Sequence, residues 1–136
     1  MIDLNARADA TRKTLAKYRA KPFSWADRVT CIHLARTQLR NLGHRPPTIP
    51  DFRSALGARR SLKKAGFETV SALLDSLLLR IAPSEMLVGD LAVIAGDDSL
   101  EAIVISAGGK MLGYHEDDAS GLKPLLVSEF GGAWRV

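Results

Sequence analysis

The spacing of apolar residues changes near residue 86, and this change constrains the fold more than any other feature of the chain. Before it, apolar side chains recur at helical intervals. The clearest series is Trp25, Val29, Ile32, Ala35, Leu39 and Leu42. After it, short apolar runs are separated by turns that contain glycine, which is typical of strands joined by hairpins. The pattern predicts an α+β fold with N-terminal helices packed on a small antiparallel sheet.

The individual elements follow from the same spacing and from capping residues. The predicted helices cover residues 5–20, 25–42, 52–65 and 70–81, with Asp51 and Thr69 as N-caps of the last two. The predicted strands cover residues 87–94, 102–106, 110–115, 122–128 and 133–136. The start of the second helix has two alternatives, since Ser24 could cap it from Trp25 or Thr30 could cap a shorter helix from Cys31. Only the shorter helix places Cys31 at the positively polarised helix end.

A chain of 136 residues has the length of a single domain, residues 1–136. Residues 1–21 form a basic helix whose many Lys and Arg residues predict an exposed, peripheral element. Residues 22–136 form the remaining core of the domain. No apolar run reaches the roughly 18 residues that a membrane span requires.

Charge is divided unevenly along the chain. Residues 1–64 carry 15 Lys and Arg against 4 Asp and Glu, whereas residues 65–136 carry 4 against 11. Arg59, Arg60, Lys63 and Lys64 form a basic face of the third helix, which is either a binding surface or a solvated face. Nucleic acid is not the expected partner, because aromatic residues that could stack on bases are few and are not interleaved with the basic ones.

Cys31 is the only cysteine, so no internal disulfide forms, which fits a reducing compartment or a virus particle assembled in one. It is either a nucleophile or a small core residue. His33 lies about 200° round the helix from Cys31, so the two cannot face one site. Three scattered histidines and one cysteine give no metal-ligand spacing, and we expect no metal and no cofactor.

Two further groups of residues have competing interpretations. The acidic groups Asp97-Asp98 and 116–118 are better explained as solvated turn residues than as calcium ligands, since neither has an alternating acidic loop. Trp134 either fills the core or anchors an interface. An aromatic residue so close to the C-terminal end of this sequence is usually docked into the domain.

Several short motifs occur in an order that resembles a known family. Cys31 opens a helix, Gly89-Asp90 leads into a strand, an apolar strand follows, and then comes the segment 108–115, GGKMLGYH. This order resembles the NlpC-type cell-wall hydrolases, compact papain-fold enzymes that cleave peptide bonds in peptidoglycan. The segment 23–25, FSW, and the ending 133–136, AWRV, resemble more closely small relatives encoded among phage tail genes. The resemblance covers residues 22–136.

The resemblance implies an incomplete active site. Cys31 falls where the family has its nucleophile, but the place of the histidine base, at the start of the strand after Gly-Asp-Leu, is occupied by Glu101. His115 is the candidate substitute base on the next strand. A carboxylate beside the thiol has the wrong electrostatics for this mechanism, because carboxylate and thiolate repel each other. The missing histidine favours a protein that is not an enzyme.

The function implied by the resemblance is a structural or assembly protein of a phage tail tip or baseplate, built on a degenerate cysteine-hydrolase scaffold. Its partners would be other phage tail proteins, and its locations the virion and, during assembly, the bacterial cytoplasm. The alternative is an active cysteine peptidase or amidase that contacts and cleaves peptidoglycan while phage DNA enters the cell. Cys31 would then be the nucleophile and His115 the base.

Overall fold

The computed structural model describes residues 3–96, 100–114 and 121–136. Its helices are α1 (Leu4–Tyr18), α2 (Cys31–Asn41), α3 (Ala55–Lys64) and α4 (Val70–Leu77). A side chain caps the N-terminus of each helix by accepting main-chain N–H groups; these residues are Asp3, Thr30, Ser54 and Thr69. The shorter alternative for α2, with Thr30 as its cap, is the one observed, and the predicted cap Thr69 is confirmed.

Two predicted helix boundaries are wrong. The helix α3 begins three residues later than expected, because Ser54 and not Asp51 accepts the Gly57 N–H. The helix α4 ends at Leu77, and the next residue, Leu78, is extended. The chain then forms strand β1 (Leu79–Ile81), whose main chain pairs with the last strand of the sheet. This pairing overrides the local helical spacing of the leucines that precede it.

Six strands form one sheet in which every neighbouring pair is antiparallel. After β1 come β2 (Leu91–Ile94), β3 (Ala102–Ser106), β4 (Met111–Gly113), β5 (Lys123–Leu125) and β6 (Gly132–Arg135), in the spatial order β1-β6-β2-β3-β4-β5. All five predicted strands are present, although most are shorter than expected. The α+β class, with helices on a small antiparallel sheet, is confirmed.

The central strands are buried on both faces. One face of β2 and β3 packs against the helices through Leu91, Val93, Ile103 and Ile105. The other face carries a smaller cluster around Ala92 and Val104. Burial on both faces explains why β3 has a continuous apolar sequence, without polar residues at alternate positions.

The N-terminal helix α1 is an integral part of the fold, so the prediction of a peripheral helix is wrong. Its residues Arg7, Thr11, Thr14, Leu15 and Tyr18 are buried. Gln38 of α2 donates to the Thr11 hydroxyl at 3.0 Å, and Asn41 donates to the Thr14 hydroxyl at 2.9 Å. One basic residue of α1, Arg7, is buried on the same helix face as Thr11 and Thr14, and we call this face the buried polar seam of α1. The other basic residues of the helix are exposed.

Trp134 of β6 lies inside the domain and is 0 % exposed. Its indole N–H donates to the Asp75 carboxylate at 2.9 Å, and the Arg80 guanidinium lies 4.8 Å from the ring centre. Of the two alternatives for Trp134, the structure therefore shows the one in which the side chain fills the core. Its proposed role as an interface anchor is wrong, because no part of the side chain reaches the surface.

Candidate functional site

Cys31 is the first residue of α2 and is half-buried. The Thr30 hydroxyl accepts the main-chain N–H groups of Ile32 and His33 at 3.2 and 3.3 Å, which fixes the first turn of the helix. The thiol of Cys31 therefore belongs to the N-terminal end of α2, where the partial positive charge of the helix is concentrated. This is the placement that a nucleophilic thiol requires, although the placement alone does not activate it.

Cys31 lines an open cleft of about 620 Å³ between the start of α2 and the sheet. Phe23 and Trp25 form part of one wall and meet edge to face, with ring centres 5.3 Å apart. Tyr114, just after β4, packs edge to face on Phe23 at 5.9 Å. Three aromatic side chains thus line the cleft that contains the thiol, and the segment 125–129 forms a further boundary.

Glu101 lines the same cleft and immediately precedes β3. Its two carboxylate oxygens accept hydrogen bonds from the main-chain N–H and the hydroxyl of Ser71, at 2.9 and 2.7 Å. Ser71 is the second residue of α4, where the N–H has no partner within the helix. Glu101 therefore joins β3 to the N-terminus of α4, and both of its oxygens are used in doing so.

The predicted site residues Cys31 and Glu101 line one cleft, whereas the contact of Glu101 with Ser71 was not anticipated. The two bonded residues are 30 positions apart in the sequence. No local pattern marks such a pair, because either side chain alone is an ordinary polar residue at the end of an element. Only the fold shows that Glu101 has a structural partner.

The three histidines differ in where they lie relative to the cleft. Among the residues that the structure describes, no histidine lines the cleft. His33 is buried, and its Nδ1 lies 2.7 Å from the Thr30 hydroxyl. It lines a different pocket from Cys31, which agrees with the helical geometry. His44 is half-buried in the loop after α2. His115, the candidate base, lies outside the described residues.

The basic face predicted on the third helix is present. Arg60, Lys63 and Lys64 of α3 are exposed and Arg59 is half-buried, and none of them forms an ion pair with any described residue. An apolar groove of about 350 Å³ lies between α2, α3, α4 and the proline-rich loop at residues 46–50, and the face of α3 that lines it carries Ala58, Ser61, Leu62 and Ala65. At 100° per residue the four cations lie on the other side of the helix, away from this groove.

The acidic groups at 97–98 and 116–118 lie outside the described residues. Within the described ranges, no group of three or more His, Cys, Asp or Glu residues is placed to hold a metal ion. None of the described helices is both long enough and apolar enough to cross a membrane.

The fold and the cleft define a class of protein: an α+β domain with a cysteine at a helix N-terminus facing an antiparallel sheet. The chain belongs to the family described as a domain of unknown function, DUF6950, whose model matches residues 4–136. That match includes α1, in agreement with the integral position of this helix in the structure. No curated protein matches the chain.

Proposed function

We propose that this protein is a structural or assembly component of a phage tail tip or baseplate, built on a papain-like, NlpC-type scaffold that has lost its catalytic base. The observation that carries this proposal is the hydrogen bonding of Glu101. This residue occupies the place where the resemblance puts the histidine, and Ser71 engages both of its carboxylate oxygens.

The chemistry of thiol hydrolases supports this interpretation. Such an enzyme needs a group that removes the proton of the thiol and later returns it to the leaving amine. Glu101 already accepts two hydrogen bonds, and its negative charge opposes formation of a thiolate nearby. In this proposal Cys31 keeps the position of the family's nucleophile, while Glu101 has a structural role.

The exposed surface of α3 supports a role in assembly. Its cations share one helix face, and like charges on such a face repel each other unless a partner neutralises them. An acidic surface of a neighbouring tail protein would satisfy this feature. We therefore place the contact with other phage tail proteins at the cationic face of α3.

A complementation experiment in the phage tests the proposal. Phage that lack the gene for this chain should fail to form infectious tails, and the wild-type chain supplied in trans should restore them and be detectable in purified virions. The variant Arg60→Glu/Lys63→Glu should fold but should not restore tails. The variant Arg12→Glu/Lys13→Glu, with the same charge change on the exposed face of α1, should restore them. Normal tails without the chain, or tails restored equally by both variants, would contradict the proposal.

A second candidate is an active cysteine peptidase or amidase that acts on peptidoglycan. The position of Cys31 at a capped helix N-terminus in an open cleft favours it. In the sequence, Tyr114 of the cleft directly precedes His115. Purified peptidoglycan incubated with the protein distinguishes the two functions. Release of soluble peptides that is lost in both Cys31→Ala and His115→Ala would establish the hydrolase and overturn the structural role.

A further inference from the structure

A second polar pocket, of about 260 Å³, lies where the end of α1 meets α2 and the turn before it. It shares no described lining residue with the cleft that contains Cys31. Five of its lining side chains are cationic, namely Lys17, Lys21, Arg28, Arg36 and Arg40. Asp27 is the one carboxylate among the described lining residues. The pocket therefore concentrates positive charge in a small concave space.

The cations of this pocket are not neutralised by the described part of the chain. Arg28 and Arg36 donate to the main-chain oxygens of Ile49 and Pro47, at 3.3 and 2.9 Å, and these contacts leave their charges in place. Lys17 and Lys21 lie 5.4 and 5.7 Å from the centre of the Tyr18 ring. None of the five forms an ion pair with a described residue.

His33 adds an uncharged ring to the lining of the pocket. It lines the pocket and is only 7 % exposed, and its Nε2 has no hydrogen-bond partner among the described residues. Buried polar atoms without partners are rare in folded proteins. Burial, reinforced by the charges of Arg28 and Arg36, lowers the pKa of His33 to about 4, so the ring is neutral at pH 7.

The hydrogen bond on the other ring nitrogen fixes where the proton of this neutral ring is. The Thr30 hydroxyl oxygen accepts the N–H groups of Ile32 and His33, and its own hydrogen is left for His33 Nδ1 at 2.7 Å. Nδ1 is then an acceptor, and Nε2 carries the proton. The ring therefore adds no charge to the pocket, and the positive charge there comes from the Lys and Arg side chains.

We propose that this pocket binds a phosphate group of a small molecule, whose oxygens accept from the guanidinium groups of Arg28 and Arg36, with the neutral ring of His33 beneath them. Arginine side chains match the geometry of phosphate oxygens, and an excess of cations over carboxylates favours a multiply charged anion. A polynucleotide fits less well, since the ring of Tyr18 is buried and its hydroxyl lies 2.9 Å from that of Thr37, leaving it unable to stack on a base.

Titration of the isotope-labelled protein with inorganic phosphate at constant ionic strength tests this inference. We expect saturable binding to one site by calorimetry, and a shift of the His33 ring resonances that saturates at the same concentrations. The variant Arg28→Gln/Arg40→Gln should weaken binding by about tenfold or more. The variant Arg59→Gln/Arg60→Gln removes the same charge from α3, outside the pocket, and should change affinity by less than about twofold.

Three results would overturn the inference. Binding that does not saturate shows that no site exists. Equal weakening by the two double variants shows a diffuse effect of net charge. Binding of a single-stranded oligonucleotide with steep salt dependence, in the absence of phosphate binding, shows a nucleic-acid surface instead. Circular dichroism of each variant establishes that it is folded, and none of these measurements depends on the proposed role in the tail.

Discussion

Arg7 of α1 and Asp90, just before β2, form a fully buried ion pair with 2.5 Å between Nη2 and Oδ1. The Arg7 guanidinium also donates to the main-chain oxygens of Val88 and Val136. The Asp90 carboxylate accepts from the Val136 N–H and from the Arg135 side chain, each at 2.9 Å. This one network joins the N-terminal helix, the turn that leads into the sheet, and the last strand.

The variant Arg7→Met should lower the free energy of unfolding by about 3–5 kcal/mol, because it leaves Asp90 buried without its main counter-charge. Urea denaturation followed by tryptophan fluorescence measures this loss. The matched control is Arg135→Met, which removes the second cation from the same carboxylate. The side chain of Arg135 is 25 % exposed, so its loss should cost about 1 kcal/mol. Equal losses in the two variants would contradict a dominant role for Arg7.

Alanine substitutions at Gly89 and Gly108 distinguish the cost of backbone strain from the cost of steric crowding. Both have positive φ, +92° and +83°. A Cβ on Gly89 would lie 2.7 Å from the Thr11 hydroxyl and 2.9 Å from the Gln38 side-chain nitrogen, whereas no described atom lies within 4 Å of one on Gly108. Gly108→Ala should therefore cost about 1 kcal/mol and Gly89→Ala about 3 kcal/mol.

The quantity to measure is the loss of unfolding free energy in Gly89→Ala minus the loss in Gly108→Ala. The strain of positive φ contributes to both losses, so it cancels in this difference. A difference near zero would mean that the contact between the Gly89 turn, α1 and α2 can relax without cost. In that case the buried polar seam of α1 would be less rigid than its hydrogen bonds indicate.

The elements that the sequence predicted best are those whose signal is local. The strand at residues 102–106 has a continuous apolar sequence and is observed with the predicted bounds. Thr30 and Thr69 are capping residues directly before helical spacing, and both cap helices. The strand β1 was not predicted, because its residues continue a leucine-rich helical pattern and become extended only through pairing with β6.

Contacts between distant residues could not be predicted in the same way. The helix α1 was expected to be peripheral because it is rich in Lys and Arg. One of those residues, Arg7, is buried and forms an ion pair with Asp90, which is 83 positions away in the sequence. In the candidate site, the shared cleft of Cys31 and Glu101 agrees with the prediction, whereas the bond from Glu101 to Ser71 has no local sequence signal.

The hydrogen bonds between Glu101 and Ser71 should be measurable as a coupling energy. Glu101→Gln keeps the size of the side chain but removes the charge that strengthens both bonds, and we expect it to cost about 1–2 kcal/mol of unfolding free energy. Ser71→Ala should cost about 1 kcal/mol, because it removes the hydroxyl donor and leaves the main-chain N–H bond. A double-mutant cycle, with denaturant unfolding of all four proteins, gives the coupling. If the two losses simply add, the contact does not stabilise the fold.

His33 should make the stability of the fold depend on pH between about 6.5 and 4. Its pKa in the folded state is lowered to about 4, from a usual value of 6.5, by burial and by the charges of Arg28 and Arg36. As the pH falls through this range, the unfolded chain binds a proton that the folded chain does not, so stability decreases and then levels off below pH 4. The expected decrease is about 3 kcal/mol, at about 1.4 kcal/mol for each pH unit between the two pKa values. Urea denaturation at a series of pH values should show this slope in the wild-type protein and in His44→Gln, but not in His33→Gln. A slope that persists in His33→Gln would assign the pH dependence to other groups.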